Sequence, residues 1–66
     1  MNLVINGKNR DVAGIPSVAD LLGILELSGA RLVVEVNGCI VKKEDFGATA
    51  LSEHDRIEIV RLVGGG

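Results

Sequence analysis

Arg56-Ile57-Glu58-Ile59-Val60-Arg61-Leu62-Val63-Gly64-Gly65-Gly66 is where the reading of this chain turns. Ile57 and Ile59 alternate with Glu58 in a β-branched run, which predicts a strand over Arg56 to Val63. That strand enters three glycines without a break. Glycine lets another backbone come close where any Cβ would collide. The carboxylate of Gly66, held out on Gly64 and Gly65, is therefore a candidate reaction site. A Gly run is equally what a frayed tether looks like, since chain ends are ordinarily poorly ordered. The division expected is a body over 1–63 and a flexible tail over 64–66.

Reading back from that strand, Leu51-Ser52-Glu53-His54-Asp55 is a polar turn with one apolar anchor. Lys42 to Ala50 has no clear period, and the expectation there is a loop with one helical turn around Lys43 to Phe46. Leu32-Val33-Val34-Glu35-Val36 is a strand closed by Asn37-Gly38, with Cys39-Ile40-Val41 as a short strand beyond it. Leu3-Val4-Ile5 is closed in the same way by Asn6-Gly7, so Lys8 to Val12 should return antiparallel. Asn-Gly is the strongest short-range hairpin signal because both of its residues accept positive φ. Between the hairpins, Ala13-Gly14-Ile15-Pro16 is a loop, and Ser17 with Asp20 three residues on is a short-armed capping box. Val18, Leu21, Leu22 and Leu25 then recur at helical spacing, and Ser28-Gly29 is the expected stop. Gly23 inside the helix costs about 1 kcal/mol relative to Ala.

A helix lying between a hairpin and later strands is an α+β layout, one sheet with a helix across one face. The first and last strands are expected as neighbours at its centre.

At 66 residues the chain is one domain, and such a domain buries only about 60% of the surface its unfolded form exposes. The 47% hydrophobic share is almost wholly aliphatic, with Phe46 the only aromatic, so stacking on nucleobases is not expected. Seven basic and nine acidic residues give a net charge of −2, and the bases are scattered along the chain. Neither nucleic acid nor an anionic membrane is an expected partner. One cysteine allows no internal disulfide. No apolar run approaches the roughly 20 residues of a membrane span, and the start lacks the features of a signal peptide. A cytoplasmic protein is expected.

Taken together, the order of elements, Leu51 followed after four residues by Arg56-Ile57-Glu58-Ile59-Val60, the Val36-Asn37-Gly38 segment, and Val63-Gly64-Gly65-Gly66 resemble the ubiquitin-like β-grasp sulfur carriers. Within the ThiS/MoaD family the likeness is greater to ThiS. It covers essentially the whole chain and rests on joint placement rather than on one motif. The MoaD branch shares the fold and the Gly-Gly end, yet is usually longer, with prolines just before its tail; here Pro16 is the only proline. The family commonly has Gly just ahead of the Asp in the turn before the last strand, where this chain has His54. Either that turn takes another shape or His54 is mildly strained.

The resemblance implies a ubiquitin-like β-grasp, one mixed sheet of four to five strands wrapped on one helix. It also implies a sulfur carrier that is a substrate of enzymes and not itself an enzyme. A carboxylate is a poor electrophile, and joining it to AMP supplies a leaving group. By resemblance a ThiF-like adenylyltransferase does this at Gly66 with ATP and Mg²⁺. A sulfur donor such as a cysteine desulfurase then provides the sulfur of a thiocarboxylate. Delivery goes to a ThiG-like thiazole synthase, for the thiazole of thiamin. Gly64 and Gly65 give the tail a slim neck, and three extended residues reach roughly 10 Å. A molybdopterin carrier, another thiocarboxylate carrier, and a ubiquitin-like binding module or modifier remain alternatives.

Alternation along the strands places Val4, Val33, Val60 and Leu62 on the face away from the helix. Beside the tail they would form a partner-docking patch, or else an ordinary half-exposed sheet face. Cys39 follows a turn, with no basic residue before Lys42, and reads as a small turn residue rather than a sulfur-handling thiol. His54 has no second His or Cys for a metal site. No Gly-rich loop joins a strand to a helix, so no bound cofactor is expected on this chain.

Overall fold

The computed structural model describes residues 1–62; the expectations for Val63 and for the Gly64, Gly65 and Gly66 tail lie outside the described residues. Strands β1 (Asn2–Ile5) and β2 (Lys8–Asp11) form the first hairpin, and α1 spans Val18–Ile24. Strands β3 (Leu32–Val36) and β4 (Cys39–Val41) form the second, a 3-10 helix covers Lys43–Ala48, and β5 is Arg56–Arg61. The sheet order is β2-β1-β5-β3-β4. β5 lies between β1, to which it is parallel, and β3, to which it is antiparallel. The first and last strands are thus neighbours in the interior of a mixed five-stranded sheet, as expected.

Both hairpins turn for the anticipated reason. Asn6 and Gly7 have φ of 50° and 81°, and Asn37 and Gly38 have 51° and 85°, the double positive φ of a type I′ turn. Each asparagine also reaches sideways to β5. Asn6 Nδ2 donates to the Ile59 carbonyl (3.2 Å) while Ile59 N–H donates to Asn6 Oδ1 (2.8 Å). Asn37 Oδ1 accepts from Arg56 N–H and its Nδ2 donates to Asp55 Oδ1, both at 3.0 Å. One residue type closes the turn and ties it to the central strand, each bond contributing about 0.5–1.5 kcal/mol.

Ser17 caps α1 through a reciprocal capping box: its Oγ accepts from Asp20 N–H, and Asp20 Oδ2 accepts from Ser17 N–H, each at 3.0 Å. The backbone bond and then the hydroxyl hold the Asp20 carboxyl below its ordinary 3.8. The far end corrects the expected stop at Ser28-Gly29, for α1 ends at Ile24. Glu26 takes φ 59°, its N–H donates to the Gly23 carbonyl, and Leu27 N–H donates to the Leu22 carbonyl. That is a Schellman motif. Leu27 packs against the core, and folding it inward offsets the cost of a non-glycine left-handed residue. Gly29 (φ 82°) serves the next turn instead.

The core lies between sheet and helix: Leu3, Val34 and Ile57 from the strands, Val18, Leu21 and Leu22 from α1, and Val12 and Leu51 from the connections. Leu51 is the anchor of the polar turn. In that turn His54 adopts φ 68°, so of the two shapes open to it the strained one is found. Its N–H donates to the Asn2 carbonyl (2.7 Å), and Asn2 N–H donates to Glu53 Oε2 (2.7 Å). The left-handed residue is held because both backbone groups of Asn2 bond to the turn.

Candidate functional site

β5 is the base from which the tail departs, and it is gripped along its whole length. At its start Val4 N–H donates to the Asp55 carbonyl (3.0 Å) and Asn37 N–H to the Arg56 carbonyl (2.7 Å). Further along, Asn6 N–H donates to the Ile57 carbonyl, and the Asn6 side chain pairs with Ile59. At its end Leu62 N–H donates to the Arg31 carbonyl (2.8 Å). A strand flanked on both sides cannot shift by one residue without turning its buried isoleucines to solvent. The strand that leads to the tail therefore has a fixed direction and register.

Residues directly opposite in a sheet share a face. Ile57 is fully buried and Ile59 packs on the core, so Arg56, Glu58 and Val60 belong to the uncovered face. Pairing places Val33 beside Val60 and Glu35 beside Glu58. Val4, beside Arg56, shares that face but lies four residues down β5 from Val60, roughly 13 Å at about 3.3 Å per residue. Val33 and Val60 are thus brought together, Val60 being 55% exposed; Val4 stands apart, at the end away from the tail. Leu62 lies one residue past β5, where strand alternation no longer governs it. It borders a depression with Leu32, Lys43 and Phe46, on the side of the sheet that α1 covers.

One residue of the uncovered face escaped the sequence reading of the patch. Ile40 is 68% exposed and pairs with Glu35. The signal was present, because a two-residue turn at Asn37-Gly38 sets Val36 against Cys39 and hence Glu35 against Ile40. Glu35 and Glu58 stand directly opposite one another, a like-charge pair that costs stability and that strand-by-strand reading cannot see. Cys39 is exposed at the start of β4. His54 Nε2 lies 3.6 Å from Glu53 Oε2 on an exposed turn, a contact of little energetic weight. Among the described residues no three His, Cys, Asp or Glu side chains gather as metal ligands, and no helix is long and apolar enough to cross a membrane.

A family model described as the ThiS family matches residues 3–66. The chain is 37% identical, over 97% of its length and 98% of the relative's, to the sulfur carrier protein ThiS of Bacillus subtilis. It is 39% identical over its full length to a thiazole synthase of Paramagnetospirillum magneticum, but spans only 20% of that protein. Among solved structures it is similar to a thiamine biosynthesis protein (ThiS) of Geobacter metallireducens, with TM-score 0.85, 38% identity and complete coverage of both chains.

Proposed function

The chain belongs to the ThiS family, and from that membership we propose that it carries sulfur as a thiocarboxylate on Gly66 for the thiazole of thiamin. The observation that carries the reading is the family match, which extends through the glycines to residue 66. In the proposed cycle the Gly66 carboxylate attacks the α-phosphate of ATP within an adenylating partner, and pyrophosphate leaves. Sulfide then adds to the acyl carbon, the acyl C–O bond to the phosphate breaks and AMP departs, leaving the thiocarboxylate after loss of a proton. No side chain of this protein acts in either step. Its contribution is a carboxyl group on residues slim enough to enter a partner's site, with Gly64 and Gly65 as the neck, and a rigid β5 behind them.

Val33 and Val60, with Ile40 alongside, are the apolar part of the face proposed to dock on partners; Val4 lies at its far end, and Leu62 at the root of the tail. Thiazole synthase as recipient is supported by two thiazole synthases, each of which matches this whole chain over a fifth of its own length. Carrier and recipient segments in one polypeptide suit a direct transfer.

Intact-mass measurement tests the reading. Incubation with ATP, Mg²⁺, a ThiF-like adenylyltransferase and a sulfide source should give a species in which one terminal oxygen is exchanged for sulfur. The same treatment should leave a Gly65→Val variant unmodified although folded. No such species from the wild type would sink the proposal.

A further inference from the structure

Three of the basic residues that look scattered along the chain come to one end of the sheet. Two adjoining hollows share Ala30, Lys43 and Phe46. Together they form a groove from Ala19 and Leu22 on α1 to Leu62, bordered also by Arg31 and Leu32. Arg61 pairs with Leu32 and so belongs to the same side of the sheet. Three of the seven basic residues of an acidic protein thus stand near the end of β5, Arg31 and Lys43 lining the groove and Arg61 on the same side of the sheet. None of them forms an ion pair among the described residues, where the pairs present are Met1 with Asp11 and Glu53 with His54. Glu44 and Asp45 sit on the neighbouring 3-10 helix and engage none of the three. The sole aromatic of the chain, Phe46, lines the groove throughout.

We propose that this groove is a second docking surface, occupied by an acidic segment of the adenylating partner. An apolar residue of that segment would lodge against Leu32, Phe46 and Leu62, and its carboxylates would meet Arg31, Lys43 and Arg61. The inference rests on the carrier reading above. Charge complementarity argues for the acidic character, because unpaired cations beside an apolar hollow favour an anionic neighbour. Continuity argues for the partner: Leu62, the last described residue before the tail, borders the groove, and its N–H is held by the carbonyl of Arg31 at 2.8 Å. An enzyme that receives the tail must pass close to this rim. Charges at an interface rim act chiefly on association rate and salt dependence.

The test is pyrophosphate release by a purified ThiF-like adenylyltransferase acting on the full chain with ATP and Mg²⁺. An Arg31→Glu/Lys43→Glu double variant should raise KM for the chain about tenfold or more while kcat stays within about twofold. Added salt should raise the wild-type KM and narrow that gap. If the reversal lowers the melting temperature, Arg31→Gln/Lys43→Gln replaces it, with a rise of about threefold expected. Adenylation of the wild type with KM unchanged in the variant overturns the groove proposal alone. So does a fall in KM, which would make the chain's own carboxylate the occupant. Absence of wild-type adenylation overturns the carrier reading, and this inference with it.

Discussion

Leu3, Val34 and Ile57 on one side of the sheet are closed to solvent beneath α1, whereas among the described residues Val33, Glu35, Ile40, Glu58 and Val60 on the other have no layer above them. The two faces come from the same strands, residue by alternate residue, yet they are chosen by different rules. The covered face is apolar where α1 lies on it, as a small domain with no disulfide requires, and carries Lys8, Arg10 and Arg61 only toward its margins. The uncovered face mixes aliphatics with two carboxylates set against each other, a pairing that works against stability. The covered face is built for folding, and the uncovered one is the face proposed above for contact with a partner.

Breaking the covered face should have the largest effect. Ile57→Ala removes a fully buried side chain from the central strand and should cost about 2–5 kcal/mol. That is a large part of the total expected for so small a domain, at roughly 0.05–0.15 kcal/mol per residue. Urea unfolding followed by far-ultraviolet circular dichroism reads it, there being no Trp or Tyr to report. A cost below about 1 kcal/mol would mean that the closed face is not what holds the sheet.

On the uncovered face the sign should reverse. Glu58→Lys converts the pair with Glu35 into opposite charges and should stabilise by about 0.2–1 kcal/mol, a gain that shrinks with added salt. A destabilised Glu58→Lys protein would remove the argument that this face forgoes stability. Val60→Ser should be quieter still, within about 0.5 kcal/mol of wild type in the same unfolding assay, while weakening capture by the adenylating partner. If Val60→Ser bound as well as wild type, the uncovered face would lose its assigned role.

The smallest effect concerns the cap of α1, the layer that makes the two faces unlike. The Asp20 carboxyl is held below 3.8 in the folded chain, so the unfolded chain binds its proton at higher pH than the folded one. The stabilisation is present above the unfolded value and is lost as pH falls through the folded one. Melting temperatures of wild type and Asp20→Asn should therefore differ near neutral pH and converge near pH 3 or below. A difference that persists in acid would assign the effect to something other than the carboxylate.

Much of this architecture was legible because its causes are local. Positive φ at Asn6-Gly7 and Asn37-Gly38 needs no tertiary partner, and Ser17 with Asp20 closes a capping box within one turn. The helix end was misjudged because Glu26, which nothing in its own chemistry marks as left-handed, is carried there by Leu27 folding onto the core. Within the candidate site, the shared face of Val33 and Val60 could be anticipated from alternation. Their adjacency, the separation of Val4 and the facing carboxylates could not, since each depends on register between strands distant in sequence, and Leu62 lies past the end of β5, where alternation no longer places it.

By itself, then, the amino-acid sequence determined the elements, the two turns, the α+β layout and the glycine tail, all consequences of backbone preference over a few residues. Tertiary structure decided which strands touch and in what register. It thereby collected Arg31, Lys43 and Arg61 at the root of the tail, because only the pairing of β3 with β5 and the packing of the 3-10 helix bring those positions together.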